Sequence, residues 1–300
     1  MFSEPRIVQY DTIGGAGRCL AMALLAGVAL LAGACGDSRT ANAQRKIREE
    51  HGPALVKTVL EDLARHRKGL RKAAGRLAPG FVKVSGAQQE KDMRWAVRKI
   101  HEPPKGIPEL VVSPMSFMAA VNGDGVVVAR DTKRAEDDHM MGMKLADRFP
   151  SVRRALEGEA GYEVGSFESL FKGGKPSVSI VMAAPCRYEG RVVGALVLGI
   201  PLWRLQQRLS RQLQLDHASV DGLILWVYVY KGPELFHHGT PPNLDTVVPD
   251  AQTREAGYKR SHGGFTGELQ QFGRWYGWGV SPLRVLGPDV GMIIVRSDPL

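Results

Sequence analysis

The sequence predicts an α+β chain in which a long N-terminal helix is followed by one or two modules with antiparallel sheets. Three observations carry this. From Arg45 to Leu77 apolar residues recur at three- and four-residue spacing, the stripe of an amphipathic helix. From about residue 111 the pattern changes to short alternating runs separated by glycine turns. The chain has 300 residues, 44% hydrophobic and 24% charged, enough apolar surface for one large or two modest cores. Net charge is +9, and residues 39 to 105 carry 17 Lys and Arg against 7 Asp and Glu, so the excess sits on the helical part and the remainder is close to neutral.

Residues 1–34 read as a signal peptide, in which Arg18 precedes the 16-residue run "CLAMALLAGVALLAGA", an h-region length and short for a spanning helix. The stretch "LAGAC" is similar to the lipobox of bacterial lipoproteins, which would make Cys35 the lipidated residue. Three readings stand at this point: a lipid anchor on Cys35, an uncleaved signal anchor, or plain secretion. All three place the rest outside the cytoplasm. Cys19 then leaves with the signal and Cys35 is capped, so Cys186 is alone and no internal disulfide is expected.

Residues 35–44 are small and polar and read as a tether, and residues 45–110 as a helical stalk. Leu55, Val56, Val59, Leu60, Leu63, Leu70, Ala74 and Leu77 form its first apolar stripe, with Gly52 and Pro53 expected to kink it early. A second helix is expected over Ala87 to His101 and ends before Pro103 and Pro104. The polar face of the first helix is strongly basic. It reads as a solvated face or as one that attracts an anionic surface; export excludes nucleic acid as its partner.

Residues 111–215 make a first module. "MSFMAAVNGDGVVVARD" is a hairpin turning at Gly123 and Gly125, "ADRFPSVRRALEGE" a short helix, "SVSIVMAAPC" and "RVVGALVLGI" a second hairpin, and "PLWRLQQRLSRQLQL" an exit helix. Residues 216–300 repeat the order of elements without residue-level similarity and read as a second, smaller module.

Chemistry-bearing patterns are sparse. "KGGKPS" at 172–177 fails as a phosphate loop, because Ser169 stands at the first glycine position and Pro176 where Ser or Thr must follow the lysine. His237 and His238 are adjacent and point to opposite faces of a strand, and nothing has metal-site spacing, so neither a metal nor a cofactor is expected. Arg274, Tyr276 and Trp278 alternate onto one strand face and read as packing or as a stacking wall. On its own strand Cys186 shares a face with Val178, Ile180, Met182 and Ala184, while Ser179 lies on the other; no helix terminus or imidazole is at hand to activate the thiol. With no triad, acid pair or dinucleotide fingerprint, an enzyme is not expected.

This order of elements resembles the extracytoplasmic Cache sensor domains of bacterial receptors, a PAS-like architecture. The likeness is carried by "VNGDGVVVARD" at Val121–Asp131, by the excursion "GMKLADRFPSVRRALEGEAG", and by "APCRYEGRVVGALVLGIPL" with Pro185, Gly190, Val193 and Gly194. It spans roughly residues 45 to 215, and the second sheet looks like the second module of a double Cache domain. The resemblance implies that a small molecule is bound, without chemistry, in a cup between the sheet and the excursion of the first module. By position it implies ligand contacts from Arg130, Asp131, Tyr162, Phe167, Ser179 and Cys186. The arginine, tryptophan and tyrosine cluster of the family's amino-acid binders is absent from the first module, and its nearest likeness, Arg274 to Tyr276, falls in the second.

The chain continues to Leu300 without a second apolar span, so a signalling role is expected to need a protein partner. The expected function is therefore a membrane-tethered, extracytoplasmic, sensor-like domain. The rival is an envelope interaction lipoprotein with a closed pocket and a basic partner-docking helix. The two separate on whether the first module's cup is open and polar-lined, and an apolar, filled cup would sink the sensor reading.

Overall fold

The computed structural model describes residues 38–82, 87–132, 138–167, 176–239, 245 and 248–299. The signal segment, Cys35 and the glycine-lysine turn at 172–175 lie outside the described residues. The chain divides into two units, one of Lys57–Arg208 with Arg284–Pro288, the other of the residues up to Val56 with Leu209–Leu283 and Asp289–Leu300.

The N-terminal helices are α1 (Ser38–Lys46) and α2 (Gly52–Leu77), joined by one π-helical turn at Ile47–His51. Proline lacks an amide and crowds the carbonyl four residues earlier. The wider turn, closed by the Gly52 amide on the Ile47 carbonyl, sits just ahead of Pro53. Among the expected stripe residues Leu55, Val59, Leu63, Leu70, Ala74 and Leu77 are buried, whereas Leu60 is exposed. A 3-10 turn at Ala78–Phe81 and α3 (Ala87–His101) follow, then the short α4 (Pro108–Val111).

The first unit holds a five-stranded antiparallel sheet in the order β2-β1-β5-β4-β3. Its strands are β1 (Phe117–Asn122), β2 (Val127–Arg130), β3 (Gly161–Phe167), β4 (Ser177–Tyr188) and β5 (Arg191–Pro201). The β1-β2 turn is set locally, since the Asn122 side-chain oxygen accepts the amides of Asp124 (3.1 Å) and Val126 (2.9 Å) and Gly125 takes φ +84°. The β4-β5 turn needs two positive φ angles, which Glu189 (48°) and Gly190 (80°) supply. Between β2 and β3 lie α5 (Leu145–Arg148) and α6 (Pro150–Leu156), the expected excursion; β3, which closes it, was not anticipated as a strand. The chain leaves β5 directly into α7 (Leu202–Asp216).

The second unit repeats the plan with β6 (Ile224–Lys231), β7 (Glu234–Phe236), β8 (Phe265–Gln271), β9 (Arg274–Pro282) and β10 (Val290–Ser297), in the order β7-β6-β10-β9-β8. Numbered within its own unit, each sheet therefore runs 2-1-5-4-3. The second module is not the lesser one in strands, and its helical excursion is α8 (Ala251–Arg260), capped by the Asp250 carboxylate on the Thr253 amide at 2.7 Å. One sheet face carries Tyr228, Tyr230, Tyr276, Trp278, Ile293 and Val295. The other is covered by α1. A Cβ on Gly277 would stand 2.9 Å from the Ala43 Cβ, and one on Gly279 2.4 Å from Ile47 Cγ2. Residues 38–44, expected within a tether, are thus a packed helix.

Candidate functional site

The candidate site is the face of the first sheet that meets α5 and α6. Residues paired across neighbouring antiparallel strands share a face, so the register assigns each side chain. Phe117, Ala119, Val121, Val181, Ala183, Ala195 and Val197 point toward the excursion and pack with Met140, Leu145, Phe149, Val152 and Ala155. Phe167 meets Phe117 edge-on at 5.1 Å and Phe149 at 4.7 Å. Two glycines make room for these rings. A Cβ at Gly199 would fall 2.0 Å from Phe117 Cε1, and one at Gly165 2.5 Å from Phe149 Cε1. The centre of the expected cup is filled with apolar side chains.

Its polar end lies at the end of β2. Arg130 pairs with Ala119 and holds its guanidinium 5.6 Å from the Phe117 ring centroid, only 1% exposed. Its Nη1 donates to Asp138 Oδ1 at 2.8 Å, which also accepts the Met140 amide at 3.0 Å. Nη2 lies 3.7 Å from Asp131 Oδ1, and Asp131 Oδ2 lies 3.3 Å from His101 Nε2 on α3. The Asp138 side chain is fully buried, and among the described residues its Oδ2, like Asp131 Oδ1, accepts no hydrogen bond. Among the described residues this guanidinium faces two carboxylates, and His101 adds a cation only when protonated.

The six residues expected at the site separate onto two faces. Arg130, Phe167 and Ser179 lie on the excursion side, Ser179 in the same row as Gly165. Asp131 follows β2, its amide donating to the Met118 carbonyl, and its carboxylate joins the Arg130 cluster. Tyr162 and Cys186 lie on the opposite face. Tyr162 pairs with Met182 and lies under Arg67 of α2, 5.9 Å from ring centroid to guanidinium carbon. Cys186 pairs with Gly194, where an added Cβ would meet Phe81 at 2.8 Å. One cup therefore does not hold both Ser179 and Cys186, a separation that strand alternation already contained. Burial pushes the Cys186 thiol up to about 12. Asp138 and His101 were missed: Asp138 sits in an aperiodic acidic run, and His101 at a helix end whose partner strand only the fold supplies.

Among the described residues no three His, Cys, Asp or Glu side chains are grouped to hold a metal ion, and no helix is long and apolar enough to cross a membrane.

No family model matches the chain, and no curated protein does. Solved structures do. The sensor domain of the V. cholerae histidine kinase DctB aligns at a TM-score of 0.52 and 12% identity, over 86% of this chain and 98% of that one. The ligand-binding domain of the Campylobacter jejuni chemoreceptor Tlp3 aligns at 0.55 and 10% in complex with L-valine, over 86% and 94%. In complex with 4-methylisoleucine it aligns at 0.54 and 12%, over 85% and 91%. With two sheets of one strand order behind a long helix, the chain has the two-module Cache-type fold of sensor ligand-binding domains.

Proposed function

We propose that the chain is a membrane-tethered, extracytoplasmic sensor-like domain that binds a small molecule, without chemistry, at the Arg130 end of the first module. The observation that carries this is the pair of buried carboxylate oxygens, Asp131 Oδ1 and Asp138 Oδ2, that accept no hydrogen bond among the described residues. A buried acceptor left without a donor costs ~1–3 kcal/mol, so each of these atoms calls for a donor from a bound molecule, an ion or a water. Because Asp138 already engages the guanidinium, the cluster favours a ligand that brings N–H groups, above all an ammonium, over one that brings only a carboxylate. That Tlp3 is seen with L-valine, an α-amino acid, agrees with a small nitrogen-bearing ligand.

The test is thermal denaturation of the full chain against amines, amino acids, organic acids and purines, since a ligand at about 100 times its Kd adds ~2.7 kcal/mol of stability. Amine-bearing compounds raise the melting temperature of the wild type, and Asp138→Asn loses the response. A response confined to carboxylates, or unchanged in Asp138→Asn, refutes the assignment.

The filled apolar centre around Phe117, Phe149 and Phe167 favours a second reading, an envelope interaction protein with a closed pocket whose basic α2 face docks a partner. It leads if the whole panel is silent. The tether is tested by palmitate labelling, which Cys35→Ala abolishes if Cys35 carries the lipid and leaves unchanged if it does not.

A further inference from the structure

Away from the candidate site, the β8-β9 hairpin of the second unit carries a residue that its turn does not favour. Gln271 pairs with Arg274, so Phe272 and Gly273 make a two-residue turn, with φ of 51° and 72°. Such a turn calls for Asn, Asp or Gly, because a Cβ at positive φ crowds the following carbonyl, and a bulky side chain there is an outlier. Phe272 is also 69% exposed, so in water its ring gains nothing from burial to offset the backbone cost. On the same hairpin Trp275 is 43% exposed. The Gly222 carbonyl accepts Arg274 Nη2 at 2.7 Å, which brings the loop bearing the exposed Val220 to the same end of the sheet.

The start of α1 reaches this end of the unit. Along β9, Gly279 faces Ile47 and Gly277 faces Ala43; along β8, the Thr266 hydroxyl donates to Gln44 and Glu268 accepts from Thr40. Two strand residues, ~7 Å, thus match four helix residues, ~6 Å. One more such step toward the turn arrives at Trp275 on the strand and at the first residues of α1 on the helix. Cys35 precedes Ser38 by three residues, a span of at most ~11 Å. The residue expected to carry the tether is therefore held near the exposed rings.

We propose that the β8-β9 turn is a contact with the lipid bilayer: Phe272 and Trp275 enter the boundary between headgroups and acyl chains, with Val220 beside them. This inference rests on the membrane-tethered reading above and adds the surface that lies on the lipid. Aromatic rings, indole above all, favour that boundary, so the side chains that are unfavourable in water gain there. Two rings are too few to hold a free protein on a membrane. Beside a tether they meet a high local concentration of lipid, and one acyl anchor plus a second contact is the combination that gives stable attachment.

The experiment reconstitutes the full chain into phosphatidylcholine vesicles, with and without bromine on the acyl chains, floats them on a density gradient and reads tryptophan fluorescence, which bromine quenches only at close range. The chain floats with the vesicles, and brominated lipid quenches part of its emission. Trp275→Phe removes most of that quenching, whereas Trp95→Phe, at an indole 62% exposed in the other unit, leaves it in place. Phe272→Asn suits the positive φ, so it raises the urea midpoint of the chain in detergent solution while lowering the quenching of Trp275; damage to the fold would lower both. Floating without quenching that depends on Trp275 overturns the contact and leaves the tether standing, and a chain that does not float overturns both. Trp275 emission shifted to the blue without quenching by brominated lipid shows that a protein surface covers the turn, which also overturns the proposal, as does unchanged quenching in Phe272→Asn.

Discussion

Replacing Arg130 with methionine tests whether the end of β2 is a charge-balanced cluster. The guanidinium is 1% exposed and bonded at 2.8 Å to a carboxylate with no solvent exposure, while Asp131 lies 3.7 Å away. Removing it leaves Asp138 and part of Asp131 in a low-dielectric setting without their guanidinium partner. Breaking a buried pair from one side costs ~3–5 kcal/mol. For a unit of this size each kcal/mol lowers the melting temperature by ~2–4 °C, so the variant melts roughly 6–20 °C below wild type. The double variant Arg130→Met with Asp138→Leu removes both charges and recovers most of the loss, as apolar replacement of a whole buried pair commonly does. Urea denaturation of the full chain at pH 7, followed by circular dichroism, separates the cases. A single-variant cost below ~1 kcal/mol, or a double variant no better than the single, refutes the reasoning.

Burial, then the Arg296 guanidinium, His217 and Lys46, hold His51 down at about 4, and Arg296 Nη1 sits 2.7 Å from its Nε2. The unfolded chain protonates this side chain at 6.5, so between those values it binds more protons than the fold; the His51 contribution is complete above that window and is lost as pH falls through it, by up to ~3 kcal/mol. His51→Gln, which keeps an acceptor for Arg296, lessens the loss of stability between pH 6.5 and 4 by its own share, the rest coming from His66, which burial also holds down at about 4; an unchanged slope counts against the account. Cys186, held up near 12 and fully buried, does not react with maleimide in the native chain and reacts fully in urea; native labelling at the rate of a free thiol contradicts its placement. Gly199→Ala drives a Cβ to within 2.0 Å of Phe117, whose ring is already packed on Phe167, and costs ~1–3 kcal/mol in denaturant; a cost near zero shows that the ring can move aside.

Where the chemistry is local, the sequence discloses the structure. Asn122, Gly125 and Gly190 specify their turns by side-chain acceptance or positive φ, and the hairpins around them follow. Arg130 and Asp131 are readable as residues leaving a strand. Asp138 is not, because its pairing with Arg130 depends on how far the chain travels after β2. Tyr162 and Cys186 illustrate a different limit: alternation divides a strand into two faces, but which face meets the excursion is decided by packing of the whole sheet. Helix α1 is hidden for a third reason. Its sequence, "SRTANAQRK", has little apolar content, and its contacts, among them Ala43 against Gly277 and the Thr266 hydroxyl donating to Gln44, come from strands more than two hundred residues away.

That last contact sets a boundary for handling the protein. Gly277 and Gly279 leave a channel on β9 shaped to receive Ala43 and Ile47, and the same face of the second sheet carries Val227, Met292 and Ile294, all fully buried. A truncation that begins at Gln44, where the tether was expected to end, deletes the first turns of the lid over that face. The uncovered strip would be flat, apolar and poor in side-chain relief, the kind of surface on which β proteins aggregate. A truncated chain that keeps this cover therefore begins no later than Ser38.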